Sequence, residues 1–101
     1  MLHDDPHAAL RDALLAGVLE APGHTDPAVR RAAADNQNLP ASLAELVAKI
    51  HAEPHRITDE EAEAACAQHD DDSLFEIIVA AALGASSLRL QAGLRALEDA
   101  T

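Results

Sequence analysis

"DSLFEIIVAAALGASSLRLQAGLRALEDA" occupies residues 72–100, and its reading decides the fold. The run lacks the apolar–polar alternation of a half-buried strand and is rich in Ala and Leu, the strongest helix formers. Wound as a helix, it is apolar on more than one side: Leu74, Ile77, Ile78 and Ala81 share one face, and Phe75, Val79 and Ala82 another. A helix apolar nearly all round is buried on several sides. In a chain of 101 residues part of that burial is expected from another subunit. Gly84, Ser86 and Ser87 either interrupt the helix or mark a close crossing; the pattern favours one long helix with room for a bend there.

Working back from this segment, four further helix starts are written in local signals. Asp5-Pro6 and Asp26-Pro27 each place a capping carboxylate before a proline at the first helical position. The first helix carries a Leu10, Leu14, Val18 stripe and stops before Pro22-Gly23; the second runs to about Asn36. After the polar break "NQNLP", a third runs from about Pro40 to Ala52 with Leu43, Leu46, Val47 and Ile50 on one face, and Pro54 ends it. Thr58 and Glu61 form a capping box for a short fourth helix that carries Cys66. The expectation is an all-α fold of about five helices with a long C-terminal one. It forms a single domain over 1–101, with residues 1–38 contributing N-terminal helices to a core formed by 39–101.

Composition narrows the function classes. Hydrophobic residues make up 49 % of the chain and Phe75 is the single aromatic, so the core is aliphatic and rich in Ala, which fills space only where helices approach closely. The net charge is −11, with 7 acids against 4 bases in residues 1–50 and 11 against 3 in residues 51–101. Phosphate binding needs clustered Lys and Arg, so nucleic acid and anionic membrane surfaces are not expected partners. The longest apolar run, 77–85, is too short to span a bilayer. The N-terminus shows no signal-peptide pattern, and one cysteine fits a reducing cytoplasm.

Chemistry-bearing residues are few. Cys66 and His69 are three apart and so neighbours on a helix, a spacing that lets an imidazolium stabilise a thiolate. Asp70, Asp71 and Asp72 oppose it, because nearby negative charge raises a thiol pKa, and so does the helix C-terminus. The expectation is that Cys66 packs near the long helix and that His69 is a solvated helix-end residue. His3 and His7, like His51 and His55, are four apart, yet one pair flanks a cap and Pro54 interrupts the other, so no metal site is assigned. Asp72-Ser73-Leu74 matches the motif on which acyl carrier proteins bear phosphopantetheine, but the apolar run that follows offers no acidic recognition face. The alternative role for Asp72 and Ser73 is an N-cap. Glu76 stands inside an apolar run and is expected to pair with a base such as Arg89 from another helix or subunit.

The blocks "LPASLAELVAKIHAEPHRITDEEAEAA" (39–65) and "DDSLFEIIVAAALGASSLRLQAGLRAL" (71–97) resemble the carboxymuconolactone decarboxylase/AhpD-like superfamily. The resemblance covers about 40–98 and is to short, cysteine-poor members. It implies an all-helical homo-oligomer with its active site near subunit contacts. The superfamily's Cys-x-x-Cys pair would fall near "IHAEPHRIT" (50–58), where no cysteine stands, so a dithiol cycle within one subunit is not expected. The leading expectation is a homo-oligomeric accessory or small-molecule-binding protein. The alternatives are an enzyme of the decarboxylase type using His51, His55 and Glu76, a one-cysteine peroxidase using Cys66, and a carrier modified on Ser73. A pocket lined by His51, His55, Arg56, Glu76 and Arg89 would host such chemistry.

Overall fold

Asp26 before Pro27 starts a helix, as the sequence indicates: its carboxylate accepts a hydrogen bond from Ala28 N at 2.9 Å. The computed structural model describes residues 8–100, and the helices it shows are α1 (Ala8–Glu20), α2 (Pro27–Asp35), α3 (Ala41–Ala52), α4 (Asp59–Gln68) and α5 (Asp71–Asp99). A 3-10 turn at Pro54–Arg56 joins α3 to α4. The fold is all-α with a long C-terminal helix, and no strand occurs among the described residues. The Asp5-Pro6 start, His3 and His7 lie outside the described residues.

Local signals explain most boundaries. α2 stops where Asn36 turns left-handed, with φ 55°, and its N–H caps the carbonyls of Ala32 and Ala33. Thr58 and Glu61 form the expected reciprocal capping box at α4. At α5 the capping residue is Asp70, not Asp72: its carboxylate accepts from Ser73 N at 3.0 Å. Asp71 and Asp72 fall in the first turn, where the helix dipole favours negative charge.

The core forms where α2 and α3 pack on the first half of α5. α3 buries Leu43, Leu46, Val47 and Ile50, the face its periodicity indicates. α2 offers Ala33 and Ala34, and α5 answers with Leu74, Ile77, Ala80, Ala81, Gly84 and Ala85. Small side chains let these two helices approach closely. A Cβ placed on Gly84 would lie 2.2 Å from Ala34 O and 2.5 Å from Ala34 Cα, so Gly84 is a crossing point, and α5 runs through it as one helix. At the edge of the core, the Lys49 ammonium of α3 pairs with the Glu61 carboxylate of α4 and holds it below the usual carboxylate range.

α1 differs from expectation. Leu10, Leu14 and Val18, the anticipated core stripe, are exposed; Leu19 is buried and Leu15 packs against the core. The reason lies in α2. Arg30, only 3 % exposed, donates from Nη1 to Val18 O at 2.9 Å and from Nη2 to Ala21 O, capping the last turn of α1. That contact turns the 15/19 side inward and the 10/14/18 side out.

The assembled chain is elongated. Its extents are 49 × 30 × 19 Å and its radius of gyration is 15.1 Å, against about 13 Å for a compact chain of this length. From Leu88 onward α5 buries no residue fully. The 77–85 run alone is short, but the unbroken α5 is long and apolar enough, by length and composition, to cross a membrane; a core helix meets the same description.

Candidate functional site

The residues singled out for chemistry do not converge. Glu76 does not pair with Arg89. Its carboxylate accepts from His24 N at 2.7 Å, Thr25 N at 2.9 Å and Thr25 Oγ1 at 2.7 Å. Three donors aimed at the charged form hold its pKa down at about 2, with the His24 N–H the largest cause. Glu76 therefore staples the α1–α2 loop onto α5. Gly23 makes room for it, since a Cβ there would lie 2.8 Å from both carboxylate oxygens. Arg89 instead donates from Nη2 to the His51 carbonyl at 2.6 Å. Glu76 and Arg89 stand about 20 Å apart along α5.

His51 is structural in the same way. Its Nε2 lies 2.8 Å from Ala33 O and donates to it, joining the end of α3 to the end of α2. His55 and Arg56 are exposed on the 3-10 turn, and Arg56 pairs with Glu53 at 3.0 Å. Of the five residues of the expected polar pocket, Arg89 meets His51 through its backbone carbonyl, Glu76 is engaged by the α1–α2 loop, and His55 and Arg56 sit on an exposed turn.

Cys66 is exposed, not packed near α5; α4 turns Ala65 inward instead. His69 caps the C-terminus of α4 and is half-buried, with Nε2 3.3 Å from Ser42 Oγ. Ser73 is half-buried and lies with His69, Asp70 and Thr25 around a cavity of about 300 Å³ at the α4–α5 junction. Beside it, His24, Asp70 and Asp72 place one ligand atom each within 4.8 Å of one another, and His24 Nε2 is 3.7 Å from Asp72 Oδ2. All three side chains are exposed, and Asp70 is engaged in capping α5. The helix N-terminus accounts for both aspartates. Sequence reasoning did not join His24 to this group, because no spacing links residues so far apart.

The strongest feature is apolar. Nine large hydrophobic side chains are well exposed among the described residues, and all nine lie on α1 or α5. Leu14 is 63 % exposed, Phe75 68 % and Leu97 64 %. Between the two helices lies an apolar cavity of about 280 Å³, walled by Leu14, Leu15 and Val18 of α1 and by Leu83, Ser86 and Leu90 of α5. Four of the nine, Leu14, Val18, Leu83 and Leu90, line this cavity, and exposed apolar side chains brought together in this way mark association or ligand surfaces.

No family model, curated protein or solved structure matches this chain.

Proposed function

We propose that the protein is a homo-oligomeric accessory or binding protein whose working surface is the α1–α5 face. One observation carries this reading: among the described residues the well-exposed large hydrophobics all lie on these two helices, four of them lining the apolar cavity between the helices, in a strongly acidic chain. A short apolar molecule suits that cavity, with the Ser86 and Ser87 hydroxyls as its polar handles. The AhpD-like assignment of residues 40–98 is part of the proposal. Its support is a short capped helix leading into a long apolar one, without the dithiol that peroxide reduction needs. The 101 residues hold a single thiol.

A soluble, cytoplasmic setting belongs to the same reading. α5 carries Glu76 and Arg89, both engaged by other elements, and packs one side against α2 and α3. That arrangement suits a helix held between protein surfaces. The test is sedimentation equilibrium of the wild type and of Leu14→Glu. Leu14 is exposed, so its replacement leaves the helical circular dichroism unchanged while weakening association. A wild type that stays monomeric at 100-micromolar order, and shows no uptake of an apolar dye such as ANS, removes the reading.

A further inference from the structure

The outer face of α5 has a regular order. Phe75, Val79, Ala82, Ser86, Leu90, Gly93 and Leu97 follow one another at spacings of 4, 3, 4, 4, 3 and 4. Val79 is half-buried and the other six are exposed. This is an 11-residue period, repeated once, which keeps one stripe nearly straight along an α-helix. The order is also symmetric about Ser86. Reversing the helix end for end exchanges 75 with 97, 79 with 93 and 82 with 90, and returns 86 to itself. The exchanges pair large with small: Val79 meets Gly93, and Leu90 meets Ala82. At the ends, Phe75 meets Leu97.

We infer that the α1–α5 face is covered by a second copy of this chain, with the two α5 helices antiparallel and a two-fold axis at Ser86. The inference rests on the association proposed above and deepens it by naming the partner and its orientation. Three observations support it. A two-fold interface must be self-complementary, and the stripe is: Gly93 and Ala82 lie opposite Val79 and Leu90, and Ser86 meets its own copy at the close approach on the axis. The stripe holds three of the well-exposed large hydrophobics, Phe75, Leu90 and Leu97, spread along its whole length, which a partner helix lying along α5 would cover together. Charge also favours this direction. The first turns of α5 carry Asp71, Asp72 and Glu76 without a base, whereas residues 85–99 carry Arg89 and Arg95 against Glu98 and Asp99. An antiparallel pair sets the acidic end beside a neutral one, and a parallel pair would set acid against acid. Leu14 and Val18 of α1 flank this stripe, so the partner's helix would close over the α1–α5 cavity.

The test is disulfide trapping in a Cys66→Ser background, which removes the native thiol. Helix axes 8–10 Å apart bring facing Cα atoms within disulfide reach. Ser86→Cys lies on the axis and forms an intermolecular disulfide under mild oxidation. Leu97→Cys lies about 33 Å from its own copy in the antiparallel pair. It does not link to itself but links to Phe75→Cys when the two variants are mixed. Self-linking of Leu97→Cys shows a parallel pair and overturns the orientation. A dimer by sedimentation in which neither Ser86→Cys nor the mixed pair links overturns α5–α5 contact and leaves the association surface standing. A wild type that is monomeric, whether free or on neutral phosphatidylcholine vesicles, overturns both the inference and the reading beneath it.

Discussion

Replacing Gly84 with alanine tests the close crossing on which the core depends. The new Cβ would lie 2.2 Å from Ala34 O, 2.5 Å from Ala34 Cα and 2.6 Å from Ala34 C. All three are backbone atoms, so no side chain can swing aside. α2 and α5 must separate by roughly 1 Å to restore ordinary van der Waals contact. Overpacking of this kind costs about 1–3 kcal/mol, and more where backbone must move. Alanine gains about 1 kcal/mol of helix propensity over glycine, which offsets part of it. The separation also loosens Ala33, Ala80 and Ala81, which are fully buried at the same crossing. A net loss of about 2 kcal/mol is expected, a large share of the ~5–15 kcal/mol typical of such domains. Gly17→Ala is the control, because nothing lies within 4 Å of its added Cβ. The assay is urea unfolding followed by circular dichroism, with both variants at the wild-type protein concentration. Gly84→Ala should lower the midpoint and Gly17→Ala should raise it slightly. A Gly84→Ala protein stabilised as much as Gly17→Ala refutes the crossing.

Glu76 predicts a pH dependence. Its folded pKa, about 2, lies below its ordinary 4.5, so its stabilisation is complete above pH 4.5 and fades as pH falls toward 2. The stability gap between wild type and Glu76→Gln should therefore narrow over that window; a gap constant from pH 7 to pH 2.5 in urea titrations contradicts the staple. His51→Ala removes the hydrogen bond to Ala33 O and should cost about 1 kcal/mol, read from the same unfolding curves. Cys66 is exposed, so it should react with a thiol reagent in the native state at one equivalent, and Cys66→Ser should change stability by less than about 0.5 kcal/mol.

Capping signals were legible because they are local. Asp26-Pro27 and the Thr58–Glu61 box each place donor and acceptor within a few residues, so residue type and spacing suffice. The inner face of α3 was legible for a related reason: it carries one apolar stripe and no rival. α1 carries two, 10/14/18 and 15/19, and periodicity cannot choose between them. The choice falls to Arg30, which binds the carbonyls of Val18 and Ala21. Glu76 stands out of place in its apolar run, but its partners include backbone N–H groups at His24 and Thr25. Every non-proline residue carries such a donor, so no side-chain pattern points to these two. The general habit of free cysteine points Cys66 inward, whereas α4 turns only Ala65 fully inward.

The distribution of side-chain size along α5 bears on the association proposed above. From Ala80 onward, the fully buried positions are Ala80, Ala81, Gly84 and Ala85, while Leu83, Leu90 and Leu97 face outward. A chain evolved to stand alone gains most by the reverse arrangement, since burying a leucine contributes about 1.5–3 kcal/mol and burying an alanine far less. The inner face of α5 is committed to small residues by the approach of Ala33 and Ala34 on α2. Its larger hydrophobic payload is left for whatever covers the outer face. In the proposed assembly folding and association are coupled, because part of the apolar burial that would stabilise α5 is available only there. The thermal midpoint should therefore rise with protein concentration in the wild type, and much less in Leu90→Glu. Coincident melting curves for the wild type at 5 and 500 micromolar would separate folding from association and leave the outward leucines without a role in stability.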